Sequence, residues 1–204
     1  MVYKNGAGGE KMDCKSLVKK AQNGDISAFE ELINAHKDNV YKTAYSFVGN
    51  HHDASDISQI AFIKAYKNIG KFNFKSEFST WLYRITVNSC LDEIRKLKRQ
   101  TGSTFSIDDD ENAKYVLPDL NTPEEAYEKD ELKRKVRENI NKLSDKYKRV
   151  IIYRDINGLS YDEIAKIEKC SVGTIKSRIS RARDALKELI SKDGTFFENY
   201  TSKG

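Results

Sequence analysis

Two long stretches of this chain repeat their apolar side chains at helical spacing, and the segment that separates them repeats nothing. Over residues 100–121 there is no periodicity, a proline at Pro118 and a cluster of acids, which predicts a flexible connector. On either side the pattern is helical throughout, and neither strand alternation nor an internal repeat is visible. Only two prolines in 204 residues leave long helices uninterrupted. The predicted fold class is all-α: two small helical domains on an acidic linker, the second with a helix-turn-helix. The expected boundaries are a tail at 1–14, a domain at 15–99, the linker at 100–121, a domain at 122–192 and a tail at 193–204.

Charge follows the same division. The formal net charge is +5, but residues 104–131 hold ten Asp and Glu against Lys114 and Lys129, a net of −8. The remainder of the chain therefore sums to +13. Two basic bodies on an acidic tether are suited to nucleic acid. The tether itself has two readings: a solubilising spacer, or an element that fills a basic channel, centred on Asp108–Glu111.

Other function classes are disfavoured by composition. No apolar run approaches the ~20 residues of a membrane span, and the first residues lack the apolar segment of a signal peptide. A cytoplasmic protein is expected. Cys14, Cys90 and Cys170 are odd in number and widely spaced, against a disulfide framework or a zinc site. Asp108–Glu111 lacks calcium-loop spacing, and no glycine-rich phosphate loop is present. No cofactor, metal or small-molecule substrate is expected, and no catalytic cluster is evident.

The helices can be placed by their signals. Ser16–Gln22 suits a short one, and Ser27 with Glu30 has capping-box spacing for a long second helix. Gly49-Asn50-His51-His52 breaks it, Asp53 is placed to cap the next helix, and that one stops at Gly70. KFNFKSEF then forms a loop of aromatics and lysines. Ser79 or Thr80 is expected to cap a further helix, with Trp81 and Ile85 in the core. In the second body Pro123 opens a helix to about Leu143, and Ser144 opens another that ends at Asn157-Gly158. Ser160 and Glu163 form a capping box, and a turn at 169–171 leads to the last helix.

That last helix sorts cleanly. Ile175, Ile179, Ala182, Leu186 and Leu189 fall on one stripe, leaving Gly173, Lys176, Ser177, Ser180, Arg181 and Asp184 opposite. Small residues followed by cations, preceded by a short capped helix and a turn, describe a helix-turn-helix. Its second helix enters the major groove by its N-terminus. Lys176, Ser177 and Arg181 then face base edges, while Arg178 and Arg183 on the flanks are placed for phosphates.

The stretch LSDKYKRVIIYRDINGLSYDEIAKIEKCSVGTIKSRISRARDALKEL resembles region 4 of the bacterial extracytoplasmic-function sigma factors. DASDISQIAFIKAY, followed by FSTWLYRITVNSCLDEIRK, resembles region 2 of the same family. The two matches occur in the family's order and cover about residues 15–99 and 124–190.

The resemblance implies a dissociable promoter-specificity subunit of core RNA polymerase that starts transcription of a stress or envelope regulon. It further implies an anti-sigma protein as partner, through which alone any membrane contact arises. The positions matching the family's −35 contacts are Arg154, Tyr161, Asp162, Gly173, Thr174, Lys176, Ser177 and Arg181. Lys176 stands where the family often has arginine, and lysine lacks the bidentate fork. Asp56, Gln59 and Phe62 match the polymerase-binding helix, three residues apart and so on one side. Ile60 departs from the acid usual there.

For the −10 element the resemblance points to the loop residues Asn73, Phe74, Lys75 and Ser76, with Tyr83, Arg84 and Asn88 behind them. Aromatic faces there can receive an unstacked base, and lysines can hold its backbone. Two other classes stay open on the residues alone: a free-standing helix-turn-helix regulator, and a nucleic-acid enzyme with such a domain at its end.

Overall fold

The computed structural model describes residues 13–101 and 123–192. Residues 1–12 of the expected N-terminal tail, the C-terminal tail, almost all of the linker and the Asp108–Glu111 cluster lie outside the described residues, while Asp13 and Cys14, expected in the tail, stand at the start of the first helix. All described elements are helical: α1 (Cys14–Gln22), α2 (Ile26–Val48), α3 (His51–Asn68), α4 (Phe78–Thr101), α5 (Pro123–Lys142), α6 (Asp145–Ile151), α7 (Tyr161–Glu168) and α8 (Val172–Lys192). They fall into two units, residues 13–44 with 52–101, and residues 45–51 with 123–192.

The first unit is built on an apolar cluster that includes Leu17, Val18, Leu32, Val40, Ala61, Ala65, Phe72, Phe78 and Leu82. Leu32, Val40, Ala61, Ala65 and Leu82 are fully enclosed, each large one contributing about 1.5–3 kcal/mol of gross burial. Ala61 and Ala65 place the small face of α3 in this cluster.

Helix starts differ from expectation by one to three residues. α2 begins at Ile26, and its cap is Asp25, whose Oδ1 accepts the Ala28 N–H at 3.0 Å. Gly24, at φ +92°, turns the chain so that this carboxylate, a stronger acceptor than the Ser27 hydroxyl, reaches the orphan donors. α3 begins at His51, which puts Asp53 in the first turn, where it still complements the helix dipole. α4 begins at Phe78, so Ser79 and Thr80 lie inside it, Thr80 fully buried. α3 ends at Asn68 and tightens into a 3-10 turn, Ile69–Lys71.

The second unit has its core in Ile140, Leu143, Val150, Ile151, Ile152, Leu159, Ile164, Ile175, Ile179 and Ala182. α8 packs against α5, α6 and α7. The helix expected from Ser144 to Asn157 is not uniform: α6 gives way to a π-helical turn, Ile152–Ile156. Gly158 at φ +70° ends it.

His36 is the one histidine placed in the core, with 3% of its surface exposed and its ring 5.5 Å from that of Phe78. Burial holds its pKa below the ordinary 6.5. The unfolded chain therefore takes up a proton at mildly acid pH that the folded chain refuses, and stability falls as pH drops below about 6.5. Urea unfolding followed between pH 7.5 and 5.5 is expected to show this fall, and His36→Gln to flatten it. An equally steep pH dependence in the variant would refute the assignment.

Candidate nucleic-acid interface

The second unit assembles the helix-turn-helix from local chemistry. Ser160 caps α7 reciprocally with Glu163: the Glu163 N–H donates to Ser160 Oγ at 3.3 Å, and the Ser160 N–H to Glu163 Oε2 at 2.9 Å. α7 ends at Lys169, which takes the left-handed conformation at φ +53°, and the Cys170 N–H returns to the Ala165 carbonyl at 3.1 Å. Ser171 then caps α8, accepting the Thr174 N–H at 3.1 Å. Two caps around a three-residue turn fix where each helix begins.

On α8, Ile175, Ile179 and Ala182 are buried as the spacing predicts, whereas Leu186 and Leu189 are only half-buried. Gly173, Thr174, Lys176, Ser177, Ser180, Arg181 and Asp184 are exposed. Gly173 is instructive. A Cβ built there meets only Ser171 Oγ, at 3.8 Å, so nothing inside the protein requires glycine at this position. Thr174 and Ser177 are tied back to the helix: the Thr174 hydroxyl lies 2.8 Å from that of Ser171, and Ser177 Oγ donates to the Thr174 carbonyl at 3.0 Å.

The cations divide into two sets. Lys176 and Arg181 are exposed on the outer face. Arg178, expected on a flank, is turned inward: its guanidinium donates to Glu168 Oε2 at 3.0 Å, with side-chain exposures of 14% and 11%. Arg149 approaches the other Glu168 oxygen at 3.6 Å. Burial of a carboxylate at the end of α7 draws the nearest cation to it. Arg183 reaches Asp155 with two hydrogen bonds while its side chain stays half-exposed. Arg154 lies over the Tyr161 ring at 4.9 Å and donates to the Leu159 carbonyl at 2.9 Å. Asp162, in the first turn of α7, is exposed.

In the first unit the loop between the 3-10 turn and α4 exposes Asn73, Phe74 and Lys75, with Ser76 half-buried. Phe74 sits at φ +59°, an uncommon conformation for a bulky side chain, and 38% of it is exposed. Its ring stands 5.0 Å from that of Phe72, which in turn contacts Trp81 at 5.3 Å and Phe78 at 6.0 Å. Tyr83, expected on the helix behind this loop, is buried. It is 6% exposed, engages the Asn39 side chain, and burial raises its pKa. α4 buries a wide face here, with Leu82, Tyr83, Thr86 and Val87 all enclosed. The stripe left outward is Trp81, Arg84, Ile85 and Asn88, at helical spacing. Trp81 and Ile85, expected in the core, are half-buried and pack against it from that stripe. The spacing from Arg84 and Asn88 was the signal for them.

On α3, Asp56 and Gln59 are exposed as expected, and Asp56 approaches His52 Nδ1 at 3.6 Å. Phe62 is drawn towards the core instead. The exposed line continues through Ile63 and Tyr66, 55% and 46% exposed, which the sequence reading did not single out. Among the described residues no helix is long and apolar enough to cross a membrane.

Buried and linked to two arginines, Glu168 predicts a stability result. Glu168→Ala strands the Arg178 charge and is expected to cost on the order of 3 kcal/mol, measured by denaturant unfolding of the full chain. A loss no larger than that of an exposed residue such as Lys166→Ala would contradict it.

Comparison with known proteins agrees with this geometry. The Sigma-70 region 2 family model matches residues 32–100, and the Sigma-70 region 4 model matches residues 133–186. The chain is 39% identical to the ECF RNA polymerase sigma factor SigW of Bacillus subtilis, over 87% of this chain and 96% of that one. It is 36% identical to the ECF RNA polymerase sigma-E factor of Escherichia coli K12, over 87% and 94%. Among solved structures it is similar to the sigma factor RpoE of Bartonella quintana, determined with the anti-sigma factor NepR. The TM-score there is 0.61 at 28% identity, covering 81% of this chain and 98% of that one. Two helical units, one with a capped helix-turn-helix and one with an exposed aromatic loop, together with these relatives, establish that the chain belongs to the ECF sigma factors of RNA polymerase, transcription initiation subunits that recognise promoter DNA.

Proposed function

We propose that α8 reads the −35 element through Gly173, Thr174, Lys176, Ser177 and Arg181, with Tyr161 and Asp162 beside it on α7. The observation that carries this is Gly173, whose smallness serves no internal contact and suits close approach of the helix start to a groove. Arg154 and Arg183 hold phosphates from positions braced by Tyr161 and Asp155. Arg178 acts through Glu168, setting α8 against α7, and does not reach the backbone itself.

The loop at 72–77 receives an unstacked base of the −10 element at Asn73 and Phe74. Lys75, Ser76, Arg84 and Asn88 hold the surrounding strand, and Trp81 stands where a second base stacks. Strand separation draws on binding energy alone, so the protein acts without an enzymatic activity of its own. Asp56 and Gln59, continued by Ile63 and Tyr66, dock on core RNA polymerase. The relative solved with an anti-sigma factor supports such a partner for this chain, and a polymerase subunit works in the cytoplasm. We place its targets in a stress or envelope regulon.

Gly173→Ala separates folding from recognition. In a helix the change favours folding by up to about 1 kcal/mol, yet it is expected to lower promoter use at least fivefold in transcription by holoenzyme. Arg181→Ala is expected to cost about 1–3 kcal/mol of discrimination between −35 sequences. Asp56→Ala with Gln59→Ala should weaken association with purified core polymerase about tenfold and leave the −35 preference intact. Full promoter use by Gly173→Ala would defeat the assignment of α8.

A further inference from the structure

Gln22 closes α1, and its side chain is spent on the base of the aromatic loop. Its amide nitrogen donates to the Ile69 carbonyl at 2.9 Å and to the Phe72 carbonyl at 2.8 Å, so both amide protons are used. The Ile69 carbonyl also accepts the Phe72 N–H at 3.0 Å. The Ile69 carbonyl thus takes Gln22 as a second donor beside its 3-10 partner, and the Phe72 carbonyl, where the chain leaves the turn, takes Gln22 as well. One side chain therefore closes the turn from outside while the backbone closes it from within.

Phe72 is held at its other end too. It is 5% exposed, with its ring among those of Trp81, Phe78 and Phe74. Held at both carbonyl and ring, Phe72 is the last buried residue before the exposed stretch Asn73, Phe74 and Lys75. Beyond it come Asn73, whose Oδ1 accepts the Lys75 N–H at 3.3 Å, and Phe74 at φ +59°. A bulky residue persists in that conformation only where its surroundings over-determine it.

We propose that Gln22 is a positioning residue for the loop. By fixing the Ile69 and Phe72 carbonyls it sets the direction from which Asn73 and Phe74 meet an unstacked base, and so sharpens the choice among bases. Gln22 touches no DNA; it acts through Phe72. A loop already in its binding conformation gives up less freedom on contact, and a misplaced base gains less from it. The proposal rests on the reading of residues 72–77 as the −10 loop.

The test uses the full chain assembled with core polymerase. The probe is a pool of single-stranded deoxyoligonucleotides randomised over six positions, and the readout is the enrichment of the best-captured hexamer over the pool mean. Gln22→Met keeps length and removes both donors; Gln22→Lys retains donors on a chain that reaches the same carbonyls; Phe74→Ala removes the exposed ring. Losing two neutral hydrogen bonds corresponds to a change on the order of tenfold. The Gln22→Met enrichment ratio is expected to fall by about that factor, Gln22→Lys to recover most of it, and Phe74→Ala to flatten it.

If Gln22→Met lowers capture of every hexamer alike with the ratio unchanged, Gln22 merely stabilises the fold and the proposal is overturned. It is equally overturned if Gln22→Met selects as sharply as the parent while Phe74→Ala does not, or if Gln22→Lys is as flat as Gln22→Met. A Phe74→Ala holoenzyme that selects normally removes the loop reading itself, a separate failure.

Discussion

Burial of Ile175, Ile179 and Ala182 is the contact on which the DNA-facing surface depends. A helix has no freedom to choose its outer face once its inner one is packed, because the two are related by a fixed 100° per residue. With those three side chains enclosed among α5, α6 and α7, Gly173, Lys176, Ser177 and Arg181 have to point away. The gross burial of the two isoleucines, about 1.5–3 kcal/mol each, exceeds what any exposed cation on α8 could contribute to folding. Apolar packing therefore orients α8, and the charges are free to serve recognition.

The cations of α8 do not share that freedom equally: Arg178 is enclosed, and Arg183 stays half-exposed while braced by Asp155. Arg178 and Arg183 lie close to Lys176 and Arg181 in sequence, but their partners differ. Glu168 sits at the end of α7 where solvent hardly reaches, and an unpaired carboxylate there would be costly, so Arg178 is drawn to it. Asp155 lies on the π-helical turn and takes Arg183. The wide turn also leaves Arg154 stacked on Tyr161. A positively charged helix is thus divided between holding its own domain together and meeting an anion.

The first unit solves a different problem. A loop that receives bases has to be exposed, and an exposed aromatic loop tends to collapse onto the nearest apolar surface. Here Phe72 is sacrificed to the core, which leaves Phe74 outside, propped at positive φ against the Phe72 ring. The strain and the anchoring occur two residues apart, the arrangement expected where function needs a conformation that the local chain would not choose.

Helical periodicity, the Ser160–Glu163 capping box and charge segregation were legible in the sequence because each depends on neighbours within a few positions. Ser160 with Glu163, the turn at 169–171 and the inner stripe at 175, 179 and 182 are local facts, and they carried the fold class and the outward face of α8. What tertiary structure alone decided was the direction of side chains whose partners are distant. Tyr83 is drawn inward to Asn39, Ile63 and Tyr66 are left outside, and Arg178 finds Glu168. Gln22 reaches carbonyls 47 and 50 residues away. No spacing rule along one helix encodes such pairings, since they follow from which faces of separate helices are brought together when the apolar stripes are buried.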